Sequence, residues 1–365
     1  MILSFKDKQL YPIKEKVESD IRLTRNDGLI LYETSDLIGV GALADFMRRK
    51  RHGNTTYFVY NQHINYTNIC KNRCLFCAFA RDRHDSGAYM YSTDQLREIL
   101  TQNKSDRLKE IHMVGGIHPN APFEYYLDLL KTIREIRPDV HIKAFTAVEI
   151  DHLTSISKMS LADTINALKE AGLNMVPGGG SEVMSDRIHQ KLFPKKMNRN
   201  QWTHVMKTIH AQGLTSNATM LYGHIETPEE RIDHLIQLRD IQDETGGFTA
   251  FIPLAFHSQN TKLSHIPPTP AYLDLKTTAI ARLMLDNFGH IKAYWVMLGE
   301  KLAQIAQTFG ADDLDGTIID EKITHSAGAV SSKGMSRDQL INMIRSAGFE
   351  PFERDALYQP VRKTA

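Results

Sequence analysis

A chain of 365 residues with 42% hydrophobic side chains can bury one large core or two ordinary ones, which excludes fibrous and disordered classes. Its 44 Lys and Arg stand against 43 Asp and Glu, so charge leaves no footprint for nucleic acid or an anionic membrane, and small molecules are the expected partners. No run of about 18 apolar residues appears and the N-terminal stretch to Lys6 and Lys8 turns polar too early for a secretory h-region, so the expected compartment is the cytoplasm.

In chain order, residues 1–55 read as a helical extension. Lys14 to Leu23 and Leu37 to Arg48 carry helical spacing on either side of a turn-like Asn26-Asp27-Gly28. The basic cluster Arg48 to Arg51 before Gly53 reads as the last turn of a helix, where cations favour the dipole. From His63 a unit repeats in which an apolar, β-rich run precedes a capped amphipathic helix. The expected strands are His63 to Thr67, Glu110 to Val114, Val140 to Thr146, Leu173 to Val176, Thr215 to Tyr222, Phe248 to Leu254 and His290 to Trp295, with an eighth near 311–318. Ser92 with Gln95 and Thr227-Pro228 with Glu230 form capping boxes, Thr269-Pro270 supplies a further N-cap, and Gly172 and Gly213 close helices. Repeated βα units predict an α/β barrel or an open doubly wound sheet, with the site at the C-terminal ends of the strands. We expect the barrel over residues 56–318. A C-terminal extension over 319–365, with a capped helix from Ser336, packs on it.

All three cysteines, Cys70, Cys74 and Cys77, fall on the loop after the first expected strand. An odd number leaves no closed disulfide set, and free thiols suit a reducing compartment. Structural zinc closes with four ligands, whereas a cubane iron–sulfur cluster can be held by three thiolates with its fourth iron open. The alternatives are a Cys3His zinc site through His63 or His84, or three inert buried thiols. Gly115-Gly116 follows the second strand and either lets backbone approach a ligand or makes an ordinary turn. After the fourth strand, the loop from Pro177 through Gly178, Gly179, Gly180 and Ser181 to Glu182 offers free amides and a carboxylate suited to a ribose diol. It lacks the frame of a P-loop or of a dinucleotide fingerprint. Strand ends and the segments after them offer Lys143, Glu149, Asn217, His224, His257, Arg282, Lys292 and Tyr294, enough positive charge and aromatic surface to hold a carboxylated ring.

The C-x3-C-x2-C arc with Phe76 before its last cysteine resembles the radical S-adenosylmethionine (SAM) enzymes. That resemblance implies a TIM-type barrel of the radical SAM kind and a [4Fe–4S] cluster on Cys70, Cys74 and Cys77. It implies SAM on the open iron, with Gly115 and Gly116 at the methionyl amine, and Phe76, Gly179, Gly180, Ser181 and Glu182 around the remainder. A one-electron reductant such as flavodoxin or ferredoxin follows as a partner. More narrowly, His141 to Glu149, Ser216 to Glu226, Thr245 to Phe248, His290 to Trp295 and Asp313 to Thr317 are similar to the aminofutalosine synthases of menaquinone biosynthesis, over roughly residues 20–350. The cyclic dehypoxanthine futalosine synthases and FO synthases share much of the pattern. Asp313-Leu314-Asp315-Gly316, followed by Glu321, Lys322, Ile323 and His325, favours the first group. That likeness implies addition of a 5′-deoxyadenosyl radical to 3-[(1-carboxyvinyl)oxy]benzoate, a small aromatic dicarboxylate. Aryl migration and loss of bicarbonate then give 6-amino-6-deoxyfutalosine and methionine, with SAM consumed as a co-substrate. His224 and Lys292 are the candidates for catalytic contact, on charge and strand-end placement. The competing non-enzyme reading is a zinc-stabilised binding module.

Overall fold

The computed structural model describes residues 4–103 and 105–361. Its strands are β1 (Thr55–Val59), β2 (Asn61–Ile64), β3 (Glu110–Met113), β4 (His141–Ala144), β5 (Met175–Val176), β6 (Thr215–Tyr222), β7 (Phe248–Ala255), β8 (His290–Ile291), β9 (Asp313–Gly316) and β10 (Glu350–Arg354). β2 to β8 lie in sequence order in one 7-stranded, all-parallel sheet. Parallel neighbours need a crossover, and helices between the strands supply it. Beyond β8 the chain bridges Lys292 to Asp313 of β9, and beyond β9 it bridges Ile319 to Gln62 of β2. β9 thus spans the two edges and the sheet closes on itself as a TIM-type barrel. β6 is buried over all but its first residue, as a strand covered on both faces must be.

The outer helices begin where the side chains say. Ser92 with Gln95, Thr146 with Glu149, Asn198 with Gln201, Thr227 with Glu230 and Ser336 with Gln339 all form reciprocal capping boxes. Thr269 does not act as an N-cap. Helix Ala271–Met284 starts behind Pro270 without a side-chain cap, and Thr269 bonds Asp274 instead.

The N-terminal helices are Leu10–Glu18, Arg25–Glu33 and Leu37–His52, the last ended by Gly53 at φ 56°. The first lies earlier than its apolar spacing suggested. Asn26-Asp27-Gly28, read as a turn, is the first turn of the second helix. The Thr24 hydroxyl accepts from the Asp27 amide, while the Asp27 carboxylate accepts from the Thr24 amide at 2.7 Å. Gly28 is there for packing, because a Cβ would stand 2.6 Å from Ile232 Cδ1 and 3.1 Å from Met284 Sδ. These helices cover Pro228–Thr245 and Ala271–Met284, and the latter is buried along almost its whole length. Their role is therefore to sheathe one flank of the barrel.

At the other end, helix Arg337–Ser346 leads into β10, which pairs in register with β1 from Thr55 and Glu350 to Val59 and Arg354. β1 also pairs with β9, giving a 3-stranded sheet in the order β10-β1-β9. β8 is shorter than its apolar run because Trp295–Leu298 turns helical, with Trp295 Nε1 donating to the Gly316 carbonyl at 2.9 Å. Among the described residues no helix is long and apolar enough to cross a membrane.

Candidate active site

A cavity of about 350 Å³ opens at the C-terminal ends of the barrel strands, and Cys70, Cys74 and Cys77 all line it. The cysteine loop is pinned by backbone bonds from Cys70 N to Arg81 O (3.1 Å), Lys71 N to Ile117 O (3.0 Å) and Leu75 N to Leu192 O (2.9 Å). All three thiols are free and partly exposed. Burial pushes the Cys74 thiol up to about 12 against the pull of Lys196, and burial also raises Cys77. Bare, these groups stay protonated; a bound metal would hold them as thiolates. Zinc thiolates in one tetrahedron stand about 3.8 Å apart, given bonds near 2.3 Å. Among the described residues the one set of three ligating side chains converging within 4.8 Å is His52, which ends the third N-terminal helix, His290, which starts β8, and Asp312, which precedes β9. A cluster spreads its ligands over separate irons, and the donor set fits that group.

Beside the arc, Phe76 lines the cavity and Lys196 Nζ sits 5.7 Å from its ring centroid. Lys196, unnoticed in the sequence, forms a buried ion pair with Glu182. Burial works against its charge, but Glu182 outweighs that and raises the ammonium above its ordinary value. The glycines divide by what surrounds them. At Gly115 a Cβ would meet the Tyr66 ring at 2.7 Å, and at Gly116 it would meet Ile69 O at 2.3 Å, so internal packing demands both. Their amides already donate, to Glu149 Oε1 (3.0 Å) and Thr67 O (2.8 Å), which leaves carbonyls to face an amine. Gly115 lines the cavity and Gly116 lies behind it. Gly178 presses on the β6 backbone and Gly180, at φ 118°, on Val148. Gly179 has only ordinary contact, with Thr146 Cγ2 at 3.5 Å, and faces the cavity. Ser181 lies outside the lining, its hydroxyl buried and without a partner.

The wall away from the cysteines carries His63, His112, Asn217, His257, Tyr294, Asp315 and Glu321. Under it lies a buried layer of paired charge. Lys143 meets Glu110 at 2.7 Å, Lys292 meets Asp315 at 3.4 Å, and Asn61 bonds both carboxylates. Lys292 therefore sits beneath the cavity, reaching it only through Asp315. His224 also falls outside the lining. Its loop winds round the Glu226 carboxylate, which accepts from the Gly223 and His224 amides and from Arg231, while the imidazole Nδ1 accepts from Ile225 N at 2.7 Å. Arg282 is fully buried against Asp312 and the Gly310 carbonyl, away from the site. Glu149 is a bracket for the loops: Tyr66, Gly115 and Thr146 all donate to it.

Residues 64–238 match the radical SAM superfamily, and residues 245–365 match the family described as CofH/MqnC C-terminal region. Aminodeoxyfutalosine synthase of Thermus thermophilus is 44% identical over 361 residues, covering 98% of this chain and 97% of that one. The chain belongs to the radical SAM superfamily. This radical SAM chain is also similar to aminodeoxyfutalosine synthase of Streptomyces coelicolor, at 38% identity over 96% of this chain and 94% of that one. A Methanopyrus kandleri protein named 5-amino-6-(D-ribitylamino)uracil–L-tyrosine 4-hydroxyphenyl transferase is 38% identical over 86% of this chain and 87% of its own. Among solved structures, methylornithine synthase (PylB) superposes with a TM-score of 0.75 at 18% identity, covering 93% of this chain and 97% of that one, which shows the shared fold. Radical SAM membership makes the protein an enzyme, here a C–C bond-forming one, that acts on a small substrate and draws on a reductant. It also brings a [4Fe–4S] cluster and SAM, for which Cys70, Cys74 and Cys77 fit the motif.

Proposed function

We propose that this enzyme joins the 5′-deoxyadenosyl group of SAM to the terminal carbon of the enol-ether double bond of 3-[(1-carboxyvinyl)oxy]benzoate, with aryl migration from oxygen to the neighbouring carbon and loss of bicarbonate. The products are 6-amino-6-deoxyfutalosine and methionine, SAM is consumed, and the setting is menaquinone biosynthesis in the cytoplasm. The observation that carries this reading is the continuity of one cavity from the cysteine arc to a wall of aromatic and hydrogen-bonding side chains. When bound, the cluster and SAM supply one electron and a carbon radical.

The protein's work is then placement and exclusion. Cys70, Cys74 and Cys77 hold the cluster, the Gly115 carbonyl takes the methionyl amine with Gly116 supporting the turn, and Phe76 flanks the cofactor. Gly179 leaves room for it, Gly180 and Ser181 shape the loop, and Glu182 with Lys196 sets the polar contacts there. Leu221, Ile252, Leu254, Phe256 and Met297 line the acceptor's compartment with groups that exclude water. Lys292 acts on the acceptor through Asp315, and His224 holds the loop after β6. Flavodoxin or ferredoxin delivers the electron.

Anaerobically reconstituted enzyme given SAM, a reductant and the enolpyruvyl benzoate is expected to form a covalent adenosyl adduct, identified by mass. Free 5′-deoxyadenosine formed in step with dehypoxanthine futalosine turnover would instead favour the cyclase. Reaction of tyrosine with the ribitylaminouracil would favour the chemistry named for the archaeal relative.

A further inference from the structure

Within the cavity lining, His63 carries a buried ring nitrogen without a partner. It stands on β2 opposite His112 of β3, so the two side chains share a face of the sheet, and their rings stack at 4.5 Å and 18°. His63 is 7% exposed and lines the cavity, yet its Nε2 is buried with no partner. Four of the neighbouring polar groups are engaged within the protein, while the His112 ring and the Tyr294 hydroxyl are not buried unpaired atoms. Asn217 donates to Thr249 at 2.9 Å, His257 bonds the Met297 carbonyl at 2.9 Å, and Glu321 holds His325 at 2.8 Å. Asp315 has Lys292 and Asn61. Among the described lining residues, His63 Nε2 is the one buried side-chain atom left unpaired. A buried polar atom without a partner calls for one, and at a cavity wall a bound ligand can be that partner.

The surroundings define that ligand. Burial pulls the imidazole below its ordinary value, so the ring is neutral, and in the tautomer with the proton on Nε2 it presents an N–H donor. Asp315 and Glu321 already have partners, and the floor beneath carries two lysines against two carboxylates. The carboxylates nearest His63 are thus already engaged, and an incoming anion meets the His63 ring beside the His112 face and the Tyr294 hydroxyl.

We propose that His63 Nε2–H seats a carboxylate of the acceptor substrate, which makes His63 a specificity-determining residue; the identity of that acceptor rests on the function proposed above. The test uses reconstituted, SAM-loaded enzyme without reductant, so that binding is read without turnover. Calorimetry with 3-[(1-carboxyvinyl)oxy]benzoate is expected to show binding weakened roughly 10- to 100-fold in His63→Leu, the loss of one hydrogen bond to a charged group. His63→Gln, which keeps an N–H at that reach, is expected to recover most of it. The reduced cluster's EPR response to SAM should match wild type in both variants. Equal affinity in His63→Leu, or an altered EPR response together with failure of His63→Gln to rescue, overturns the proposal. If the wild type does not bind the enolpyruvyl compound, the proposed function falls. 3-Hydroxybenzoate then decides the seat alone: His63-dependent binding supports it, and binding that ignores His63, or no binding, overturns it.

Discussion

At the scale of single residues, the loop after β5 hangs on one buried pair. Glu182 has φ 50°, a left-handed conformation that a side chain adopts only where its surroundings enforce it, and its carboxylate meets Lys196 over the Phe76 and Phe193 rings. Removing one partner of a buried pair strands the other charge. Glu182→Ala should therefore cost about 3–5 kcal/mol in denaturant unfolding, as well as weakening SAM binding. Glu182→Ala combined with Lys196→Met should regain most of that stability while SAM binding stays weak. A double variant no more stable than the single one would show that the pair is not what holds the loop. Glu182 was visible in the sequence as the carboxylate closing a glycine run. Lys196 was not, because nothing in Lys195-Lys196 says which of the two lysines turns inward.

At the scale of elements, β10 governs the site from a distance. Its Arg354 is wholly buried, and Nε donates to Asp313 Oδ2 at 2.7 Å. Burial opposes that charge, and Asp313 outweighs it and keeps the guanidinium protonated. Asp313 begins β9, whose Asp315 faces the cavity. Arg354→Met should cost about 3–5 kcal/mol in urea unfolding, and adding Asp313→Asn should recover much of it. Because β9 carries substrate-side residues, Arg354→Met should raise KM for the acceptor more than KM for SAM; equal changes would argue against this coupling. The apolar run of β10 is too short and mixed to announce a strand. Its partner β1 lies some 295 residues away, at Thr55 against Glu350, and only the closed barrel brings them together.

At the scale of the whole molecule, buried histidines predict sensitivity to mild acid. His52, His210 and His234 are each held down to about 4, mainly by burial. In the unfolded chain they titrate near 6.5. Between those values the unfolded state binds protons that the folded state refuses, so stability is full above about pH 6.5 and falls as pH drops toward 4. Each wholly buried histidine contributes up to about 1.4 kcal/mol per pH unit, and less where water reaches it. His234 is the firmest case, since Nδ1 accepts from Met184 N at 3.1 Å and Nε2 bonds the Thr219 carbonyl at 3.0 Å, leaving no place for a second proton. Thermal midpoints are expected to fall steeply from pH 6.5 to 4.5. His234→Leu should be less stable at pH 7.5 but show a shallower fall, and an unchanged slope would assign the acid sensitivity elsewhere.

By itself the sequence determined what depends on neighbours along the chain. The cysteine spacing, the βα period, the capping boxes at Ser92, Thr227 and Ser336, and the glycine run after β5 are all local signals. Tertiary structure decided what depends on the direction a side chain takes once distant segments meet. His224 ends a strand, as a site residue should, but Glu226 gathers the loop amides and turns the ring away from the cavity. Lys292 lies under the cavity because Asp315, contributed by the strand that closes the barrel, stands between them. His63, weighed only as a zinc ligand, faces the cavity because β2 and β3 pair in a register that sets it against His112. Which strands meet, and so which side chains face each other across them, is decided by packing among segments far apart in sequence.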